Sequence, residues 1–110
     1  MIIHYKNKKL AKTVENLKSI FKHYGVRAKK VNQRIEDLES SANMDVLRLV
    51  CPSCHPLTGD KDGEYAIEIS GNHRIIFVIN QDPIPVDDQN EIIYSDVTDI
   101  KILNIGEDYH

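Results

Sequence analysis

Glu64-Tyr65-Ala66-Ile67-Glu68-Ile69-Ser70-Gly71-Asn72-His73-Arg74-Ile75-Ile76-Phe77-Val78-Ile79 is the stretch that decides the fold. Residues 64–70 alternate, with Tyr65, Ile67 and Ile69 on one face, as a half-buried strand requires. Gly71-Asn72 is a two-residue turn with glycine first, a favoured connection between antiparallel strands. Arg74 to Ile79 then returns as a nearly all-apolar run, the mark of a central strand covered on both sides. An antiparallel hairpin therefore anchors the second half of the chain.

Upstream the period changes from 2 to 3.6. Leu10, Val14, Leu17, Phe21 and Tyr24 recur at spacings of 4, 3, 4 and 3, so one helix is expected from Asn7, its cap, to Gly25, which ends it. Ala28, Val31, Ile35, Leu38 and Ala42 form a second stripe, predicting a helix over about 26–42. The short connection at Gly25 makes the two an antiparallel helical hairpin. Met44, Val46, Leu47 and Leu49 predict one further helical turn before Pro52 stops it. Ile2-Ile3-His4-Tyr5 reads as an opening strand.

Downstream, residues 81–90 carry two prolines and three aspartates and read as a long loop. Segments 91–94 and 97–105 are expected to complete the sheet, with Ile100 and Ile102 facing opposite to Leu103 and Ile105. The fold class is thus α+β: an N-terminal strand and a helical hairpin on one face of a small, twisted, mostly antiparallel sheet. The other face is left open to a ligand. At 110 residues the chain is of one-domain size, spanning 1–110.

Composition excludes some classes. Hydrophobic content of 41% and charged content of 28% belong to a folded protein rather than a disordered one. No apolar run approaches the roughly 20 residues that cross a bilayer, so no membrane partner is expected. No secretory signal pattern opens the sequence, so the expectation is cytoplasmic, with reduced thiols. The formal charge of −3 hides a division. Residues 1–34 hold ten Lys or Arg against Glu15 alone, a net of +9, whereas the remainder sets four against sixteen carboxylates, a net of −12. Such asymmetry fits an anionic partner such as nucleic acid, and equally a pair of solvated lysine faces.

Cys51-Pro-Ser-Cys54-His55 matches in letter the attachment pattern of c-type haem. Neither Met1 nor Met44 lies downstream as a second axial ligand, and a zinc site would need two further ligands at suitable spacing. A thioredoxin-type motif wants a strand before it and a helix starting at it; here a helix precedes and a loop follows. The cysteines read as incidental, and neither metal nor cofactor is expected. His55 is the candidate for chemistry. With Arg74, and with Asp108, Tyr109 and His110 at the C-terminus, it could perform phosphoryl transfer on RNA. An imidazole would take the proton of a 2′-hydroxyl, another group would protonate the leaving 5′-oxygen, and Arg74 would neutralise charge on the phosphate. Terminal His, Tyr and Asp are also commonly inert.

The run His55-Pro56-Leu57-x-Gly59-Asp60-x-x-Gly63, then Arg74-Ile75-Ile76-Phe77, then terminal Asp108-Tyr109-His110, resembles the HigB-like branch of the RelE/ParE toxin superfamily. The Asp82-Pro83-Ile84-Pro85 loop, the strand from Val97 to Ile105 and the opening Met1-Ile2-Ile3 extend the resemblance along essentially the whole chain. It implies the toxin of a type II toxin–antitoxin pair: a ribosome-dependent endoribonuclease cutting translated mRNA, held inactive by a helix-turn-helix antitoxin. It maps the catalytic group onto His55, Asp108, Tyr109 and His110, with Arg74 on the phosphate side. Lys6, Lys8, Lys9, Lys12, Lys22, Lys61 and His73 are then the candidate RNA contacts. Thr58 stands where the family usually carries a lysine, and His73 where an aromatic commonly precedes the arginine. Gyrase-poisoning relatives supply the alternative, a toxin of the same fold that binds a protein and cuts no RNA.

Overall fold

Three asparagines start three of the four helices. Asn7, Asn16 and Asn43 sit in extended conformation, and each side-chain oxygen accepts the backbone N–H three residues on, at 2.8, 2.8 and 3.0 Å. The computed structural model describes residues 1–108. Its elements are β1 (Ile2–Tyr5), α1 (Lys8–Thr13), α2 (Leu17–Tyr24), α3 (Ala28–Ser40), α4 (Met44–Val50), β2 (His55–Pro56), β3 (Glu64–Ser70), β4 (His73–Ile79) and β5 (Asp99–Asp108).

The single helix expected over residues 7–24 is two. Asn16 breaks it by capping α2, while the Ser19 hydroxyl donates to Lys12 O at 2.6 Å and covers an end carbonyl of α1. The expected apolar stripe crosses the break only in part: Leu10, Val14 and Tyr24 reach the core, but on α2 Ile20 is buried there while Leu17 and Phe21 stay about half exposed, at 56% and 49%. Gly25, at φ +52°, turns the chain into α3, which buries Ala28, Val31, Ile35 and Leu38. α4 closes the helical layer with Met44 and Leu47 fully buried. No helix among the described residues is long and apolar enough to cross a membrane.

The five strands run in the order β1-β5-β4-β3-β2. β1 lies parallel to β5; every other pairing is antiparallel. Tyr65, Ile67, Ile69, Ile75, Phe77, Ile100 and Ile102 point into the helical layer and form one core with it. Tyr65 stacks on Phe77 with centroids 5.6 Å apart, and its hydroxyl lies 3.1 Å from that of Tyr94.

Segment 91–94, expected as a strand, is not one. Ile92 makes a single bridge to Val86, and Tyr94–Asp96 is a 3-10 turn. The loop before β5 is fastened instead by Gln81, whose carbonyl accepts from Thr98 N at 2.8 Å and Asp99 N at 3.2 Å. Within β5 the pairing to β4 slips twice: Phe77 faces Ile102 but Ile76 faces Asn104, and Ile75 faces Ile105 but Arg74 faces Glu107. Each slip is a bulge holding one extra residue, Leu103 and then Gly106, the latter at φ +82°. Ile105 therefore rejoins Ile100 and Ile102 in the core, and of these four apolar residues Leu103 alone stands on the opposite face.

Candidate active site

Strand alternation builds the site on the face turned away from the helices. Leu57, Ala66 and Ile76 are buried there, with Leu103 packed against them, and make a small apolar floor. His55 on β2, Glu68 on β3 and His73 and Arg74 on β4 rise around it. Together with Gly71 and Asn72 of the hairpin they line a cleft of about 320 Å³. His55 and Arg74, nineteen residues apart in sequence, thus share one cleft, and His73 shares it with them.

His55 is held by the turn that delivers it. Cys54 N donates to Cys51 O at 3.0 Å, closing that turn, and Ser53 Oγ accepts from Glu68 N at 3.2 Å, tying it to β3. The Ser53 carbonyl lies 2.8 Å from His55 Nδ1. A carbonyl can only accept, so Nδ1 carries the hydrogen and the neutral ring keeps its lone pair at Nε2. That is the form a general base needs, in an exposed side chain. Arg74 sits in the second strand from it, its Cα opposite Glu68 on β3 and Glu107 on β5. A guanidinium there can pair two oxygens of a phosphate. Glu68 puts a carboxylate in the same cleft, which opposes anion binding; Ser53 and Glu68 escaped the sequence reading, although the alternation about Ile67 marks Glu68 as facing away from the core.

Asp108 is the last residue of β5, its Cα opposite His73, one of the residues that line this cleft. Tyr109 and His110 lie outside the described residues. Lys61 sits in the 3-10 turn Gly59–Lys61 and does not line the cleft. Thr58 is exposed beside that turn.

The cysteines belong to the core. Cys51 is fully buried, its thiol donating to Asp37 Oδ2 at 3.3 Å, and Arg34 Nη1 donates to the same carboxylate at 3.1 Å. Burial and that hydrogen bond push the Cys51 thiol up to about 11, and burial beside Cys51 pushes Cys54 up to about 12. Both stay protonated at neutral pH, which removes the thiolate that nucleophilic chemistry requires. Burial alone would raise the Asp37 carboxyl; hydrogen bonds from Gln33, Cys51 and Arg34, with the arginine's charge, outweigh it and hold that carboxyl below its ordinary value.

The basic residues divide between two other clefts. Lys12 and Lys22 line one of about 450 Å³ at the break between α1 and α2, together with Lys9, Lys18 and His23. Lys6 and Lys9 line another of about 360 Å³ between α1 and β5. Lys8 is exposed and lines neither.

No family model matches the chain, and no curated protein matches it in sequence. Among solved structures, a YoeB/ParE toxin from Agrobacterium tumefaciens aligns over 99% of this chain and 100% of its own, with 13% identity and a TM-score of 0.51. The chain has that toxin's fold. A YoeB dimer from Staphylococcus aureus is also similar, at 20% identity over 99% of this chain and 98% of its own, with a TM-score of 0.47. At such identity what is shared with the Agrobacterium toxin is the course of the backbone. Any activity has to be read from the cleft of this chain.

Proposed function

We propose that this chain is the toxin of a type II toxin–antitoxin pair and that it cuts mRNA on the ribosome. The observation that carries the proposal is the meeting of His55 and Arg74 in one cleft, with Nε2 of the histidine left as the proton acceptor. His55 takes the proton of a 2′-hydroxyl. The 2′-oxygen attacks the adjacent phosphorus, and the bond to the 5′-oxygen breaks. The products are a 2′,3′-cyclic phosphate and a 5′-hydroxyl end. Arg74 stabilises the charge that grows on the phosphate oxygens, a contribution typically of about 10²–10³ in rate. Protonating the leaving oxygen falls to Asp108, Tyr109 or His110, the terminal group that the resemblance implies. Lys12 and Lys22, with Lys8, supply a cationic helical surface for ribosomal RNA, and Lys61 and His73 complete the candidate RNA contacts. A helix-turn-helix antitoxin would be the neutralising partner, and the cytoplasm the place of action.

Growth inhibition after induction tests this reading. His55→Ala removes the base, a loss on the order of 10²–10⁴ in rate, and deletion of Tyr109-His110 removes two of the three candidate acids. Both variants should keep the wild-type circular dichroism and lose toxicity. Full toxicity of both would refute an RNA-cutting site in this cleft and favour a toxin of the same fold that acts by binding gyrase or another protein.

A further inference from the structure

Lys6 and Lys9, candidate RNA contacts from the resemblance, line the cleft between α1 and β5, which the cutting step itself leaves unused. β1 stops at Tyr5, whose partner on β5 is Ile102, so beyond that point β5 has α1 beside it instead of a strand. The space is lined by exposed Lys6, Asn7 and Lys9 on one side and by Leu103 and Asn104 on the other. The first bulge of β5 is what turns these last two residues to the open face. Asn104 stands opposite Ile76, and Leu103 packs against Ile76 and Ala66, the floor of the cleft that holds His55 and Arg74. One apolar strip therefore joins the two clefts across the sheet, with the C-terminal end of β5 between them.

We infer that this second cleft is a subsite for the same single-stranded RNA, taking the backbone one or two nucleotides from the cut; the inference rests on the RNA-cutting reading above. Lys6 follows the Tyr5–Ile102 pair at the end of β1 and Arg74 stands opposite Glu107, so the two are about 10 Å apart across the strands and about 8 Å along them, roughly 13 Å in all, the reach of about two nucleotides. Lys6 and Lys9 provide point charges for phosphate, the side-chain amides of Asn7 and Asn104 provide donors for phosphate or base edges, and Leu103 provides an apolar surface for a base. The first cleft carries Glu68 beside its arginine and lacks a cation at Thr58, so much of the phosphate attraction has to come from elsewhere on this face. The lysine pair of the second cleft supplies it.

A short single-stranded RNA, 2′-O-methylated throughout so that it cannot be cleaved, is titrated into the whole protein and followed by amide shifts in NMR. Resonances of Lys6, Asn7, Leu103 and Asn104 should move together with those of His55, His73 and Arg74 along one binding curve. The double variant Lys6→Ala/Lys9→Ala should bind severalfold more weakly and reduce the slope of log K against log salt by about 1.4, two phosphate contacts on a single strand. Lys29→Ala/Lys30→Ala on α3 should leave affinity and slope as they are. Shifts confined to the His55–Arg74 cleft, or an unchanged slope in the Lys6/Lys9 variant, overturn the subsite and leave the cutting reading standing. Shifts in neither cleft also overturn it, and the cutting reading then stands or falls separately on the mapping of mRNA ends in cells.

Discussion

The proposed role of His55 depends on a backbone carbonyl: Ser53 O lies 2.8 Å from Nδ1 and so fixes the hydrogen there, leaving the lone pair of the neutral ring at Nε2. Asp37 illustrates the opposite use of hydrogen bonding, in which Gln33, Arg34 and Cys51 satisfy a carboxylate for stability alone. Its folded-state pKa lies below the ordinary value of 3.8. The stabilisation it gives is therefore complete above that ordinary value and is lost as pH falls through the lower, folded one. Asp37→Asn should cost about 1–2 kcal/mol in urea unfolding at pH 7, with the gap to wild type narrowing in the acid range. A gap of the same size at all pH values would show that the carboxylate charge contributes nothing. The sequence made His55 visible through the His-Pro-Leu run, whereas the Asp37 network stayed hidden. Its members are spread over residues 33–51, and only the packing of α4 against α3 brings Cys51 to the carboxylate.

The elements were legible where the pattern was local. The hairpin of β3 and β4, with its Gly71-Asn72 turn, lies where alternation placed it, and α3 buries Ala28, Val31, Ile35 and Leu38 of its stripe, although Ala42 lies beyond it, exposed; α4 forms as expected but buries only Met44 and Leu47 of its four apolar residues. Two features escaped for physical reasons. Asn16 falls inside an apolar series that looks uninterrupted, Leu10 to Tyr24, yet the break moves burial on α2 from Leu17 and Phe21 to Ile20; only the asparagine followed three residues later by Ser19 signals a new cap. Asn16→Ala should lower stability by about 1 kcal/mol, a drop in Tm of roughly 5 °C by thermal unfolding, and an unchanged Tm would deny the cap its role. The bulges of β5 were the second feature. Ile100, Ile102 and Ile105 are spaced by two and then three, and the odd step is the trace of the extra residue at Leu103. Reading through it as strict alternation put Ile105 on the wrong face.

At the scale of the whole molecule, strand order is the part that sequence periodicity could not supply. Pairing of β1 with β5 joins residues about a hundred apart, and nothing local dictates it. That pairing nonetheless decides the layout: it centres β4 and β5 in the sheet, sets Arg74 at the end from which the C-terminus leaves, and lets α1 flank the exposed edge of β5. The division of charge follows the same layout, with the basic helices forming one layer and most carboxylates lying in the strand and loop half. The catalytic tail, expected from the resemblance of Asp108-Tyr109-His110, reaches the described residues only at Asp108. The most direct measurement of the central claim is therefore functional: mapping mRNA 5′ ends in cells after induction of the wild-type chain and of His55→Ala. New 5′-hydroxyl ends within translated reading frames should accumulate with the wild type and be absent with the variant. Growth arrest with intact mRNA, accompanied by DNA damage, would contradict the account.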